Sequence, residues 1–403
     1  MNKIVYLWDA DYPWDVRTEK ICLALTSAGH EVHIVARNAA RKVIEERLPE
    51  ATVHRMLPWN WMGARIDRQL GFPAFFNPRW VRHLARVVRR VRADLIIARD
   101  LPLCPTAIWI GQRAGIPVLF DMAENYPALL QDVWDTRRKR PFDYVVRNPG
   151  AARLVEQYCL PRLTRILTVV EESRDRLVRI GVPAERIDVV SNTPSLSRLD
   201  FPTSQAAKST EGPMEVVYLG LMEIARGVGL LVEAADRLRA AQIQVRMRLI
   251  GGGRDIALFR EQAKRLGLLD REVEFTGFIP SHLDALALVA KANVGAIPHL
   301  PNEWANTTIP NKLFDYMAAG LPVLTSDAAP CARIVNQTGT GEVFHAPDVD
   351  DLVRAILRLL DPEARAAMRL AGIQAIRERF NWESDTAVLM RAIESTVLEY
   401  RQS

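Results

Sequence analysis

Short apolar runs alternate with helix-length segments along most of the chain, and this alternation limits the available folds more than any other feature. The run KIVYLWD is followed by the helical stretch RTEKICLALTSAG and then by a second apolar run, HEVHIVARN. Further apolar runs follow at similar spacing: DLIIA, IPVLFD, RILTVV and RIDVVSN. Strands that alternate with helices form parallel sheets with helices on both faces. The first half of the chain is therefore predicted to be a doubly wound α/β domain.

The alternation stops between about Ser195 and Met214 and then resumes. The intervening segment is rich in serine, threonine, proline and small residues, which favours a linker. Beyond it come EVVYLG, the helical stretch GVGLLVEAADRLRAA, and the apolar runs VRMRLIG, VEFTGFI, VGAIP and LPVLTSD. A length of 403 residues also favours two domains. We predict two Rossmann-like domains that face each other across a cleft, residues 1–200 and 210–383, with a terminal helix at 384–403 joining the first.

The first residues and the cysteines indicate a cytoplasmic protein without a metal site. The start MNKIVYLWDADYPW has a single lysine before a short apolar run, unlike a signal peptide, and arginines interrupt every apolar stretch long enough to span a membrane. Cys22, Cys104, Cys159 and Cys331 lie far apart and include no C-x-x-C pair, so they are expected to be buried thiols. We therefore expect neither a metal ion nor a resident cofactor.

Positive charge is concentrated in the first half of the chain. The segment from Arg79 to Arg92, RWVRHLARVVRRVR, combines arginines with apolar residues at helical spacing and predicts a basic amphipathic helix. A second basic run covers Arg137–Arg140. The predicted basic helix is preceded by aromatic residues: Trp59, Trp61, Phe72, Phe75 and Phe76. Either this region makes a peripheral contact with an anionic membrane, or the arginines are the solvated face of a helix packed on the core. No nucleic-acid recognition module accompanies them, so nucleic acid is not expected as a partner.

The segment YLGLMEIARGVGLLVEA predicts a phosphate-binding loop. A strand ends at Gly220, the following loop carries Glu223 and Arg226, and Gly227 opens a helix. The amino end of a helix offers free N–H donors and partial positive charge, and an arginine adds a fork of donors for a diphosphate. The alternative is a tight turn with an arginine on the surface.

A second glycine-rich turn follows the next strand, in LIGGGRD. Gly251 and Gly252 would let the backbone approach a ligand closely. The dinucleotide-binding pattern G-x-G-x-x-G requires a third glycine where Ile256 stands, so a nicotinamide cofactor is not expected. A simple turn from strand to helix is the alternative.

The third segment, PHLPNEWANTTIPNKLFDYMAAGLPVLTSD, joins a polar loop to the start of a helix and then to a strand. Asn311 opens the helix and places Lys312 and Asp315 near its first turn. A carboxylate there suits the helix dipole and could accept hydrogen bonds from ribose hydroxyls. As structure alone, Asp315 would be a dipole partner and Lys312 a solvated charge.

These three segments, together with VEFTGFIP, resemble the nucleotide-sugar domain of retaining GT-B glycosyltransferases of family 4. The resemblance covers residues 215–345. It implies that Asp315 binds the nucleotide ribose and that Arg226 binds the diphosphate. Lys312 is the candidate for supplying the charge of a family arginine that is replaced by Leu221 here. The first half is similar more loosely, through AGHEVHIVAR and FDMAENYP. The motifs ADYPWDVRTEK and PNKLFDYMAAG are typical of bacterial surface-polysaccharide enzymes.

Three positions depart from the family's pattern. Leu221 stands where the family has an arginine, Thr307 replaces the first of two paired glutamates, and Ala123 replaces a histidine. Contacts to the donor sugar are then expected from the neighbourhood of Glu303, with Asn306 and Thr307. On the acceptor side the resemblance suggests three carboxylates, of which Glu124 is the candidate for a catalytic role: Asp11, Asp121 and Glu124.

The expected activity is transfer of a sugar, with retention and without a metal ion, from a UDP- or GDP-linked donor to a saccharide or lipid-linked saccharide. The biological setting implied by the resemblance is cell-surface polysaccharide synthesis in the cytoplasm, with a peripheral membrane contact through Arg79–Arg92. A sugar-nucleotide epimerase would share the nucleotide site but need no second substrate. A catalytically silent partner of another transferase is the second alternative, because of Leu221, Thr307 and Ala123.

Overall fold

The computed structural model describes residues 1–13, 15–58, 75–136, 139, 143–199 and 212–402. The chain divides into two compact units: unit 1 combines Met1–Asn192 with the chain from Asp385 onward, and unit 2 is Thr193–Ser384. Most of the predicted linker, residues 200–211, lies outside the described residues, as do Trp59, Trp61, Phe72, Arg137, Arg138 and Arg140. The four cysteines are buried thiols, as expected, and form no disulfide with one another.

Unit 1 is built on an eight-stranded sheet in the order β3-β4-β2-β1-β5-β6-β7-β8. Every neighbouring pair is parallel except β3 and β4, which are antiparallel at one edge. The strands are β1 (Lys3–Asp11), β2 (Glu31–Arg37), β3 (Glu45–Arg47), β4 (Thr52–Arg55), β5 (Leu95–Arg99), β6 (Val118–Met122), β7 (Arg165–Thr168) and β8 (Ile187–Val189). The order reverses between β1 and β5, which is where doubly wound sheets bind ligands.

Helices connect the strands of unit 1. They are α1 (Val16–Ser27), α2 (Pro78–Val91), α3 (Cys104–Ala114), α4 (Tyr126–Thr136), α5 (Asp143–Val146), α6 (Pro149–Cys159) and α7 (Glu171–Arg179). Local sequence explains two of their starts. The Asp15 carboxylate accepts the Thr18 N–H at 2.8 Å and caps α1, and Asn77 caps α2 just before a proline whose fixed backbone suits a first helical turn.

The arginine-rich segment forms α2, as predicted. Its apolar side packs into the core of unit 1 through Trp80, Leu84, Val87 and Val88. Most of its arginines are exposed on the opposite side: Arg82, Arg86, Arg89 and Arg90. The apolar face is therefore used for folding, and any contact that α2 makes with a membrane would depend on its arginines alone. Within the described residues, no helix is both long and apolar enough to cross a lipid bilayer.

Unit 2 contains a six-stranded sheet in which all neighbouring strands are parallel, in the order β11-β10-β9-β12-β13-β14. The strands are β9 (Met214–Leu219), β10 (Val245–Ile250), β11 (Val273–Gly277), β12 (Val294–Ile297), β13 (Val323–Ser326) and β14 (Gly341–Phe344). Numbered within the unit, this is the Rossmann order 3-2-1-4-5-6. The order reverses between β9 and β12.

The helices of unit 2 are α8 (Val228–Ala240), α9 (Ile256–Arg265), α10 (His282–Val289), α11 (Lys312–Ala318), α12 (Ala329–Thr338), α13 (Val349–Arg358) and α14 (Pro362–Glu378). A last helix, α15 (Trp382–Gln402), ends the chain, and its residues from Asp385 belong to unit 1. Buried residues of β9, β10, α8 and α13 form the core of unit 2, including Tyr218, Leu231, Leu249 and Leu352.

Candidate functional site

The carboxyl ends of β9, β10 and β12 lie at the same edge of the unit 2 sheet, where the strand order reverses. Gly220 directly follows β9, and its N–H donates to the Ile250 carbonyl at 2.9 Å. Gly251 directly follows β10, and its N–H donates to the Gly277 carbonyl at 2.9 Å. The two glycine turns predicted from the sequence are therefore neighbours in space.

Two of these glycines are required by close packing. Gly251 has φ +131°, and a Cβ there would lie 2.1 Å from the Gly220 carbonyl oxygen. Gly220 has φ +140°, and a Cβ there would lie 2.9 Å from Lys312 Nζ. Gly252 is different, because the nearest atom to its added Cβ is 4.0 Å away, in Phe278. Gly220 thus brings bare backbone close to the Lys312 side chain, and Gly251 packs directly against Gly220, which is an arrangement suited to an anion.

The loop between β9 and α8 carries Glu223 and Arg226. Glu223 is half-buried and precedes a short 3-10 turn, Ile224–Arg226. Gly227 then adopts φ +67°, and a Cβ at this position would lie only 1.7 Å from the Pro298 carbonyl oxygen. The loop is thus pressed against the segment that follows β12, and the position of Arg226 depends on that contact.

Arg226 lies over an aromatic ring. Its guanidinium carbon is 4.3 Å from the centroid of the Trp304 ring, and Trp304 is itself buried. Stacking on an aromatic face orients a guanidinium while leaving its N–H donors available. Arg226 makes no ion pair with any residue that the structure describes.

Lys312 is the first residue of α11, and its Nζ lies 3.9 Å from the centroid of the Tyr218 ring. The Tyr218 hydroxyl donates to the Leu221 carbonyl at 2.5 Å, which fixes the ring. Desolvation and the nearby Arg226 charge hold the pKa of Lys312 well below its usual value. Among the described residues it has no ion-pair partner. Two basic side chains that lie close together without an ion-paired carboxylate are typical of an anion site.

The first turn of α11 carries the predicted ribose ligand. Asp315 is half-buried there, and its main-chain N–H donates to the Asn311 carbonyl at 3.1 Å. Asn311 itself is exposed just before the helix. The negative charge of Asp315 acts on Lys312, raising its pKa against the effect of Arg226. The structure therefore places Asp315 beside the same cationic pair.

Two predicted donor-sugar contacts are engaged within the protein. The Thr307 hydroxyl donates to the Glu303 carbonyl at 2.7 Å, and the residue is buried. The Asn306 side-chain oxygen accepts the Ala329 N–H at 2.9 Å, at the start of α12. The side-chain oxygens of both residues thus stabilise the loop before α11, and their role as sugar ligands stays a prediction.

Sequence reasoning missed three residues of this site: Tyr218, His299 and Trp304. His299 lies just beyond β12 and is 2% exposed, with its ring stacked on Trp304 at a centroid distance of 6.3 Å. Burial and the charges of Lys312 and Arg226 hold the pKa of His299 well below its usual value. For His299 the sequence did contain a signal, because it is a polar residue directly after the predicted strand VGAIP, and ligands bind at such strand ends.

A second group of polar residues lies at the carboxyl ends of β1, β5 and β6, within unit 1. Arg99 ends β5, stacks 4.3 Å from the centroid of the Trp8 ring and donates to the Thr18 hydroxyl at 2.9 Å. Asp9 belongs to β1, and burial raises the pKa of its carboxyl against the charges of Arg37 and Arg99. Sequence reasoning named neither residue, nor Asp100, although all three lie at the ends of predicted strands.

Asp100 follows β5 in a backbone conformation that suits glycine. Its φ is 58° and its ψ 161°, a region that other residues occupy at a cost of about 1–3 kcal/mol. Its Oδ1 is buried and has no hydrogen-bond partner within the described chain. Burial, reinforced by the charges of Glu124, Asp121 and Asp9, raises the pKa of Asp100 to about 7. Strain, burial and a raised pKa make this carboxyl a candidate functional group.

The predicted acceptor-side carboxylates are dispersed rather than grouped. Asp121 is fully buried and accepts hydrogen bonds from Arg17 at 2.6 Å and from the Tyr6 hydroxyl at 2.7 Å. These bonds link β6 to α1 and β1, and the acceptor-side role of Asp121 stays a prediction. Asp11 accepts two main-chain N–H groups, of Ala39 and Ala40, at 2.7 and 2.9 Å.

Of the three carboxylates, Glu124 combines partial exposure with an effect on Asp100. It is half-buried in the turn after β6, and its charge acts on Asp100. No group of three or more histidine, cysteine, aspartate or glutamate residues is arranged to hold a metal ion within the part of the chain that the structure describes. The chemistry available from these residues is therefore binding of anions in unit 2 and proton exchange at carboxyl groups in unit 1.

Two family models match the chain, one on each half. The model described as glycosyl transferase 4-like domain matches residues 15–193. The model described as glycosyl transferases group 1 matches residues 213–362. The second match contains the glycine turns, Arg226, Lys312 and Asp315. The sequence resemblance to GT-B glycosyltransferases is thereby confirmed.

Individual relatives point the same way. The chain is 25% identical over 302 residues to glycogen synthase of Mycobacterium tuberculosis, covering 73% of this chain and 67% of that protein. It is 28% identical over 181 residues to phosphatidyl-myo-inositol mannosyltransferase of Mycolicibacterium smegmatis, covering 45% of each, so the match spans less than half of that relative. The solved structure of Anabaena HepE in complex with UDP shares the fold, with 16% identity, a TM-score of 0.73 and coverage of 98% of this chain and 100% of that one.

Proposed function

Since this chain belongs to the GT-B glycosyltransferases, we propose that it moves a sugar from a UDP- or GDP-linked donor, with retention, to a saccharide or lipid-linked saccharide in cell-surface polysaccharide synthesis. Unit 2 binds the donor. The observation that carries this proposal is the pair of cations Arg226 and Lys312, which have no ion-pair partner among the described residues. They lie beside two glycine turns at the strand ends.

The diphosphate of the donor supplies the missing negative charge. Cleavage of the bond between sugar and phosphate adds negative charge to the departing diphosphate, so fixed cations stabilise the transition state more than the ground state. Arg226 contributes a guanidinium oriented by Trp304, and Lys312 contributes an ammonium held over Tyr218. No metal ion is needed for this role. The bare backbone at Gly220 and Gly251 lets the phosphates approach both groups.

Asp315 is proposed to bind the ribose of the donor. It lies in the first turn of α11, three residues after Lys312, and a carboxylate can accept hydrogen bonds from two adjacent hydroxyls. Such a contact fixes the nucleoside relative to the diphosphate. Because both groups start from the same helix, the distance between the ribose and phosphate contacts is set by the helix itself.

The acceptor is proposed to bind unit 1 near Asp100 and Glu124. Front-face attack with retention would pass the proton of the acceptor hydroxyl to the departing phosphate. Within unit 1, the two carboxyl groups would accept hydrogen bonds from the acceptor. A lipid-linked acceptor fits the name of the phosphatidyl-myo-inositol mannosyltransferase relative. The exposed arginines of α2 would hold the protein at the cytoplasmic face of the membrane through anionic lipid.

Thermal-shift measurements with UDP, GDP, dTDP and their common sugar conjugates test the donor site. We expect stabilisation by one nucleotide family and its loss in Asp315→Ala. Asp284→Ala is the matched control, because Asp284 is also an acidic residue in the first turn of a helix of unit 2 and is exposed. It should keep the full nucleotide-dependent shift.

The two alternative functions, a sugar-nucleotide epimerase and a catalytically silent partner, predict different results in activity and binding assays. An epimerase would convert a nucleotide-sugar without a second substrate, whereas a transferase releases UDP or GDP faster when an acceptor is added. A panel of simple saccharides and lipid extracts, with nucleotide release as the readout, separates these reactions. A silent partner would bind none of the nucleotides, and the proposal would then be wrong.

A further inference from the structure

His299 places an unpartnered polar atom inside the donor site. Its side chain is 2% exposed, and Nε2 has no hydrogen-bond partner among the residues described. The ring stacks on Trp304 with 28° between the two planes. The main-chain oxygen of His299 accepts the Ser326 hydroxyl at 2.5 Å. These contacts fix the histidine while leaving Nε2 without a partner.

An unpaired polar atom in a protein interior is costly. Its desolvation costs about 1–3 kcal/mol, and nearly all buried polar atoms in native proteins are paired. A ligand that interacts favourably with Nε2 would recover this free energy. His299 therefore indicates a bound state in which the ring has a partner that the protein alone does not supply.

The charged groups around His299 show what kind of partner that is. Arg226 and Lys312 face it from the loop after β9 and from α11, and together with burial they hold the pKa of His299 well below its usual value. Burial and Arg226 do the same for the pKa of Lys312, which Cys331 and Asp315 raise to a lesser extent. The empty site thus disfavours protons on two bases that an anion would favour.

We propose that a nucleoside diphosphate enters this site together with a proton, which the Lys312–His299 pair takes from the solvent. The inference rests on the proposed donor site and assigns His299 to it. One proton moves from water or buffer to a nitrogen of the pair, and no covalent bond of the nucleotide changes. The phosphate charges offset the repulsion among the three basic groups, which restores the basicity of the pair. Because the two bases interact, the proton belongs to the pair rather than to one residue.

Calorimetric titration with UDP and GDP tests the proposal. The binding enthalpy is measured in two buffers of different ionisation enthalpy, and the difference gives the number of protons taken up. We expect about one proton between about pH 7 and pH 8.5, above the range near pH 6 in which a terminal phosphate titrates. Affinity should then rise as the pH falls across this range, by up to about tenfold per pH unit for one proton.

Two variants locate the proton. His299→Asn removes one base, and Lys312→Arg replaces the other by a group that stays charged. Each should still bind the nucleotide and should take up less than the wild-type number of protons. His345→Asn is the control, because it removes an exposed histidine of the same unit whose partner is Asp327. It should match the wild type.

The outcomes separate this inference from the proposed function. Binding of UDP or GDP with no proton uptake in the wild type would overturn the inference and leave the donor site standing, whether or not the variants fold. Unchanged uptake in His299→Asn would remove His299 from the site. Absence of binding by any nucleotide would overturn the proposed function and the inference with it.

Discussion

Asp100 makes the stability of unit 1 depend on pH. Its pKa is raised to about 7 in the folded protein, chiefly by burial, whereas an unfolded aspartate has a pKa of about 3.9. The folded state therefore binds the proton more tightly. Protonated Asp100 therefore stabilises the folded state. This contribution to the free energy of unfolding is complete below about pH 3.9, decreases as the pH rises and is lost above about pH 7, by at most about 4 kcal/mol in total.

Asp100→Asn should remove this loss, because an amide cannot ionise and also tolerates positive φ. We expect the variant to have a higher thermal unfolding midpoint than the wild type at about pH 8.5 and a clearly smaller advantage at about pH 5, where only about a third of the loss has occurred. Asp175→Asn, which changes an exposed aspartate of α7, should leave the pH profile unchanged. Parallel profiles for the wild type and Asp100→Asn would show that Asp100 ionises normally.

Arg226 gives a second prediction at the scale of the residue. Removing a charged protein side chain that donates hydrogen bonds to a ligand typically costs about 1.5–3 kcal/mol of binding free energy. Arg226→Ala should therefore weaken UDP or GDP binding roughly 10- to 100-fold. The affinity of Arg226→Lys should lie between those of the wild type and Arg226→Ala, because lysine keeps the charge but loses the planar group over Trp304.

The control for Arg226 is Arg271, an exposed arginine just before β11 at the opposite end of the unit 2 sheet. Arg271→Ala should change the dissociation constant less than twofold in the same calorimetric titration. Equal effects of the two alanine variants would indicate nonspecific attraction of the nucleotide to positive charge.

At the scale of the element, two glycines of unit 2 allow the cost of backbone strain to be distinguished from the cost of a packing clash. Gly227 and Gly339 have nearly the same φ, +67° and +65°, but a Cβ at Gly339 meets no atom within 4 Å, whereas at Gly227 it would lie 1.7 Å from the Pro298 oxygen. Gly339→Ala should cost only the left-handed backbone term, about 1–2 kcal/mol. Gly227→Ala should cost several kcal/mol and should also weaken nucleotide binding, because the loop of Arg226 must move.

Thermal unfolding and UDP titration of both glycine variants check this prediction. Gly339→Ala should bind the nucleotide with wild-type affinity, since Gly339 ends α12 away from the glycine turns. Similar losses of stability in the two variants would mean that the loop after β9 yields easily. The contact with Pro298 would then have no part in positioning Arg226.

Elements with a strong periodic pattern could be predicted from the sequence, and short polar ones could not. The apolar runs that became β1, β5, β9 and β12 predicted their strands because buried parallel strands need continuous apolar residues. The edge strand β3, Glu45–Arg47, is charged and largely exposed, so nothing in its pattern indicates a strand. It forms only because β4 offers an antiparallel partner.

The donor site could be predicted as separate loops, but its assembly could not. Glycines and a helix start after predicted strands indicate where ligands bind. That Arg226 stacks on Trp304, 78 positions later by residue number, follows only from the order of β9 and β12 in the sheet. Asp121 shows the converse: its carboxylate is taken by Arg17 from a distant helix, which sequence spacing does not reveal.

At the scale of the whole molecule, the distribution of charge gives the last prediction. The exposed arginines Arg82, Arg86 and Arg89 make no ion pair with a described residue, and each basic residue near an anionic surface contributes about 1 kcal/mol. Their combined replacement by glutamine should reduce binding to vesicles that contain anionic lipid roughly a hundredfold in a flotation assay. The fold should persist, because the apolar face of α2 is unchanged.

A matched variant replaces three exposed basic residues of unit 2 by glutamine: Lys264, Arg265 and Arg271. It has the same net charge as the α2 variant, so a purely global effect of charge would weaken binding equally in both. Binding through α2 predicts a large loss in one variant, almost none in the other, and a loss in the wild type as salt screens the arginines. Equal binding of the wild type to neutral and anionic vesicles would exclude the membrane contact and leave α2 as a solvated helix.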